Sequence, residues 1–134
     1  MNAAESPSCV LLAAPHHGLS EGIRSLLGTE FDAVVMVADE RSLCESAQRL
    51  KPRLAVIDLA LARGDIAGLL RRVRLGCHGL KVILLSAHDE PAIAQAASEA
   101  GADGLVCMNA IATDLMAAVD DLLRGERHFP DEVV

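Results

Sequence analysis

Arg53-Leu-Ala-Val-Ile-Asp58 runs four apolar residues together between Pro52, one position before it, and a carboxylate at its end. An unbroken apolar run of this length is the pattern of a strand buried on both faces, as in a parallel sheet. It predicts that Asp58 stands at the carboxyl-terminal edge of that strand. In open α/β sheets, ligand sites form where strand ends meet the loops beyond them, so Asp58 is a candidate site residue. The plain alternative is an aspartate that only caps the following turn.

The pattern recurs on both sides. Cys9-Val-Leu-Leu-Ala-Ala14, stopped by Pro15, Ala33-Val-Val-Met-Val37, Lys81-Val-Ile-Leu-Leu85, ending at Ser86, and Leu105-Val-Cys-Met108 read as four further strands. Helical spacing fills the gaps between them. Leu19, Ile23, Leu26 and Leu27 form one face, closed by Gly28; Leu43, Ala47 and Leu50 form a second, with Asp39 as N-cap. Gly64-Asp65 opens a third helix carrying Ile66, Leu69, Leu70 and Val73, and Pro91 fits the first turn of an alanine-rich fourth over residues 92–100, ended by Gly101. Ile111, Leu115, Val119 and Leu122 trace the fifth, closed by Gly125. Five strands alternating with five helices predict a doubly wound parallel sheet, with residues 1–8 a flexible lead, 9–125 one domain and 126–134 the start of a linker.

Composition narrows the function. A chain of 134 residues, about half apolar, suffices for one core. With no Trp or Tyr and only Phe31 and Phe129 as aromatics, that core is built from Leu, Val, Ile and Ala. The net charge of −7 argues against these residues themselves gripping a nucleic-acid backbone. The strongest basic cluster, Arg71, Arg72 and Arg74, falls at a helix end, where favourable interaction with the helix dipole and solvation is the expected reading and a binding patch the alternative. Cys9, Cys44, Cys77 and Cys107 lack paired spacing and read as buried free thiols of a reducing compartment. The first apolar run is too short for a signal peptide or membrane span, so a cytoplasmic protein is expected.

Taken together, Ser20-Glu-Gly-Ile23, Val56-Ile-Asp-Leu59, Val82-Ile-Leu-Leu-Ser-Ala-His-Asp89, Ala100-Gly-Ala-Asp-Gly104 and Gly125-Glu-Arg-His-Phe-Pro130 follow one another in order and spacing. In these pieces the chain resembles the receiver domain of two-component response regulators, above all those of the NarL/LuxR type. The resemblance spans about residues 9 to 130. It implies a flavodoxin-like (βα)5 fold of strand order 2-1-3-4-5. It also implies a phosphoacceptor at Asp58 and a switch hydroxyl at Ser86. Other implied partners are a histidine kinase, a second copy of the chain, and DNA through a C-terminal helix-turn-helix domain beyond these residues.

The match is partial where the chemistry lies. The acidic pair that helps such receivers hold Mg²⁺ falls on Ala14 and Pro15, the phosphate-pairing lysine on Met108, and the switch aromatic on Leu105. Mg²⁺ is a hard cation that wants oxygen ligands, and Ala14 and Pro15 offer no side-chain oxygen. A unit charge about 4 Å from a phosphoryl oxygen is worth on the order of 4 kcal/mol at an effective dielectric near 20, and Met108 supplies none of it. The expectation is an atypical receiver, a regulatory interaction module without a resident metal or cofactor, not switched by Mg²⁺-dependent phosphorylation of Asp58. The alternatives are a conventional phosphoacceptor and a small-molecule sensor. His16, His17 and His88 with Asp58 suggest a weaker Zn²⁺ reading. A flavodoxin-like oxidoreductase is disfavoured because Ala13-Ala-Pro-His-His17 makes no phosphate-cradling loop.

Overall fold

Val10, Leu11, Leu12, Leu54, Ala55, Val56, Ile57, Val82, Ile83, Leu84 and Leu85 have no exposed surface. Continuous apolar runs of this kind are stable only at the centre of a sheet covered on both faces. The computed structural model describes residues 9–15, 17–88 and 90–130, with backbone alone at residues 17–19. Strands β1 (Cys9–Ala13), β2 (Ala33–Val37), β3 (Leu54–Asp58), β4 (Lys81–Ser86) and β5 (Gly104–Cys107) alternate with helices α1 (His17–Leu27), α2 (Glu40–Leu50), α3 (Ile66–Leu75), α4 (Pro91–Glu99) and α5 (Ile111–Leu123). All pairings are parallel and the order is β2-β1-β3-β4-β5, as expected.

The period of two along each strand divides the core. Leu11, Ala13, Ala55, Ile57, Val82, Leu84 and Leu105 face α2, α3 and α4, where Leu43, Ala47, Leu69, Leu70, Val73, Ala94 and Ala97 meet them. Val10, Leu12, Leu54, Val56, Ile83, Leu85 and Val106 face Ile23 and Leu27 of α1 and Leu115, Ala118, Val119 and Leu122 of α5. The caps follow the sequence: Asp39 accepts from the Ser42 amide and Asp65 from the Gly68 amide.

Several expectations shift. Leu50 is not on the inner face of α2 but 37% exposed, because the helix ends beside it at Lys51 in the left-handed region and Ser46 takes the buried place. Only Cys77 is buried; Cys9, Cys44 and Cys107 are half-buried, and all are free. Of the arginine cluster, Arg72 pairs with Glu40 of α2, and Arg74 binds Asp103 at 2.8 Å together with the carbonyls of Leu80 and Gly101. Residues 126–130, read as the start of a linker, lie along the free edge of β5: Leu105 N–H donates to the His128 carbonyl at 2.9 Å and His128 N–H to the Asp103 carbonyl at 3.0 Å. Gly104 permits that approach, since a Cβ there would stand 3.1 Å from the His128 carbonyl oxygen. Residues 1–8 and 131–134 lie outside the described residues.

Candidate functional site

Parallel pairing brings every strand's carboxyl end to one edge, and register sets what meets there. Ala13 is level with Ile57, so Ala14 is level with Asp58; Asp58 is level with Leu85, and Ser86 with Cys107. Asp58 and Ser86 share one cleft of about 370 Å³, lined also by Ala60, Gly64, Ile66, His88 and Ile93. Among the described residues, Asp58 is the only carboxylate in that lining.

Both polar side chains are occupied locally. Asp58, 8% exposed, accepts the Ala60 amide at 2.9 Å and so caps the single 3₁₀ turn Leu59–Ala62 that carries the chain from β3 toward α3. Ser86, 2% exposed, donates its hydroxyl to the His88 carbonyl at 2.7 Å and accepts the His88 amide at 3.0 Å. The turn after β4 is thus held by the side chain that ends the strand.

Ala14, Pro15, Met108 and Leu105 do not line that cleft. Ala14 is half-buried, with its amide donating to the Val37 carbonyl at 3.0 Å, and Pro15 is exposed. Met108 is half-buried and packs on the core under α1 and α5, while Leu105 is buried in the opposite layer, under α4. His88 is exposed and touches the cleft. His16, the side chain of His17 and Asp89 lie outside the described residues. Among the described residues, no three His, Cys, Asp or Glu side chains are grouped to share a metal ion.

A second cleft of about 190 Å³ opens between α4, β5 and α5, lined by His88, Glu90, Ala94, Leu105, Asp114 and His128 among others. The sequence assigned His128 no role. Its Nδ1 lies 2.8 Å from Asp121 Oδ2, and that hydrogen bond, aided by the Arg124 guanidinium, holds the Asp121 carboxyl below the ordinary carboxylate range. Nothing local in the sequence announces the contact, which joins a helix to a segment seven residues on. Burial pushes the thiols of Cys9, Cys44 and Cys77 up, making them poor nucleophiles.

With this geometry in hand, the comparisons with known proteins are specific. The model of the response regulator receiver domain matches residues 10–120. The response regulator protein VraR of Staphylococcus aureus (strain Mu3) is 29% identical over 127 residues, covering 93% of this chain and 61% of the relative. The RcsB response regulator of Salmonella typhimurium superposes with a TM-score of 0.82 at 23% identity, over 96% of this chain and 65% of that one. A two-component response regulator of the LuxR family from Aurantimonas sp. SI85-9A1 gives 0.81 at 24% identity, over 93% and 91%. At these identities the structural likeness shows the fold. The chain spans about three-fifths of the length of VraR. No described helix is long and apolar enough to cross a membrane.

Proposed function

Because the chain belongs to the response regulator receiver domain family, we propose that it is the receiver module of a LuxR-type transcription regulator whose switch does not run on Mg²⁺-dependent phosphorylation of Asp58. One observation carries this reading: Asp58 is the single carboxylate among the described residues that line its cleft, and the strand beside it, level at Ala13 with Ile57, runs on into Ala14 and Pro15.

A phosphoryl group on Asp58 would bring nearly two negative charges to that point. Phosphoryl transfer depends on positioned cations that neutralise the transferred group. A lone carboxylate with one oxygen already accepting an amide is a poor seat for a hard, six-coordinate cation. Met108, packed into the core under α1 and α5, brings no ammonium to replace it. Without clustered carboxylates the edge also lacks the like-charge repulsion that a metal would relieve, so one conformation is stable without cations. The module then works by presenting surfaces, as a regulatory rather than a catalytic unit. A second copy and a histidine kinase are its proposed partners, and contact with DNA belongs to a helix-turn-helix domain outside these residues.

The test is direct. Incubation with acetyl phosphate, or with beryllofluoride, in the presence of Mg²⁺ is expected to leave Asp58 unmodified by intact mass and the amide spectrum unchanged. The variant A14E/P15D/M108K, which restores the missing charges, should gain a modification that is lost again on adding D58N. Stoichiometric modification of the unaltered chain overturns the reading and makes it a conventional phosphoacceptor.

The apolar lining supplied by Ala60, Ala62, Ile66 and Ile93 favours a second reading, small-molecule sensing in the same cleft. A metabolite fraction that raises the melting temperature of the chain, and fails to do so for an Ile93→Arg variant, would select it.

A further inference from the structure

The cations of this acidic chain are unevenly used. Arg24, Arg41, Arg72, Arg74 and Arg124 each face a carboxylate. Among the described residues, Arg49, Lys51, Arg53, Arg63, Arg71, Lys81 and Arg127 do not; Arg127 is taken up by Ser98 and the Ala102 carbonyl and Arg63 follows β3 at the Asp58 end, whereas the other five gather toward the ends of α2 and α3 and the starts of β3 and β4, at the sheet edge opposite Asp58.

A groove of about 560 Å³ lies there, lined by Gln48, Lys51, Pro52, Arg53, Leu75 and residues 76–79, with no Asp or Glu in its wall among the described residues. Helix dipoles do not account for all of this charge. Arg53 and Lys81 are not helical, and their strands are joined at this edge by the Lys81 amide donating to the Arg53 carbonyl at 2.9 Å. Lys51 alone is committed, its Nζ donating to the Gly76 carbonyl at 2.8 Å.

The same place holds the exposed large hydrophobic side chains of the described residues, Leu50 at 37% and Leu75 at 71%, each the last residue of its helix. The helix ends adjoin, for a Cβ on Gly76 would stand 2.8 Å from Gln48 Cβ. Solvated leucines beside unpaired cations are the composition of a docking surface, where apolar contact gives affinity and charge gives orientation and on-rate.

We propose that this edge binds an acidic protein segment carrying an apolar side chain, with the carboxylates on Arg53, His78 and Lys81 and the apolar group against Leu75. A nucleic acid would satisfy the cations but leave the leucines in water, and the net charge of −7 opposes a longer phosphate track. The inference concerns the opposite end of the sheet from the Asp58 cleft and stands or falls independently of the phosphorylation test.

The experiment titrates the ¹⁵N-labelled chain with a synthetic peptide of alternating Asp and Glu carrying two leucines four positions apart. Amide shifts confined to residues 49–53 and 75–81 are expected. Binding should weaken at least about fivefold in R53E, which alters one exposed charge, and about threefold when the peptide leucines become alanine. Both variants of the experiment leave the fold's own amide pattern in place as an internal control. Shifts that are absent or scattered, or that are matched by a duplex DNA of equal charge, overturn the proposal. So does sedimentation showing that the chain pairs with itself through this edge and dissociates in R53E, since the occupant would then be a second copy.

Discussion

Ser86 and Asp121 show how single side chains serve this fold apart from any switch. The Ser86 hydroxyl both donates to and accepts from the His88 backbone at the mouth of the cleft. Removing it in S86A should cost about 1 kcal/mol by urea denaturation, the net worth of local hydrogen bonds of this kind, while leaving the cleft's apolar wall intact. Asp121 is bound by the His128 ring and by Arg124, with its carboxyl held below its ordinary range. A group whose folded pKa is depressed adds stability that is full above the unfolded value, about 3.9 for Asp, and is lost as the pH falls through the folded value. The melting temperature of the parent should therefore exceed that of D121N at neutral pH, and the gap should close only below about pH 4. A gap that persists to lower pH would mean that packing, not charge, sets the difference.

At the scale of elements, the segment after α5 is the informative one. Residues 126–130 add backbone pairing to the open edge of β5, Arg127 reaches back to the carbonyls of Ser98 and Ala102, and its guanidinium lies 4.8 Å over the Phe129 ring. Phe129 also packs against the core layer that holds Leu105. A chain truncated after Gly125 should exchange the Leu105 amide rapidly, because its acceptor is the His128 carbonyl. Slow exchange at Leu105 in the truncated chain would show that the segment covers the edge without holding it. The sequence places these residues in a linker because Glu126-Arg127-His128 has neither strand alternation nor an apolar run. What orders them is a free sheet edge, a glycine at 104 and an acidic residue on a helix, none of which is local to the segment.

Across the whole molecule, the five apolar runs and five helical faces were enough to give a parallel sheet covered on both faces, because burial on both faces leaves strands no other pattern and parallel crossovers need a helix each, while the strand order came from the resemblance to receiver domains. Asp58 and Ser86 were legible for the same reason: a polar residue ending a buried strand has only the sheet edge to occupy. That Ala14, Pro15 and Met108 carry no charge is plain from residue type, and that charges are expected there comes from the resemblance to receiver domains. The exposed leucines were not. Periodicity assigned Leu50 to the core, and only the helix ends, set by Lys51 turning left-handed and Gly76 closing on Gln48, decided that Leu50 and Leu75 would stand in solvent beside Arg53. Sequence by itself thus determined the strands, the helices and most of the core, because these follow from residue type and short-range period. The pairing of His128 with Asp121 and the gathering of most of the unmatched cations at one edge were decided by tertiary structure alone, because they depend on distances between segments that no local pattern encodes.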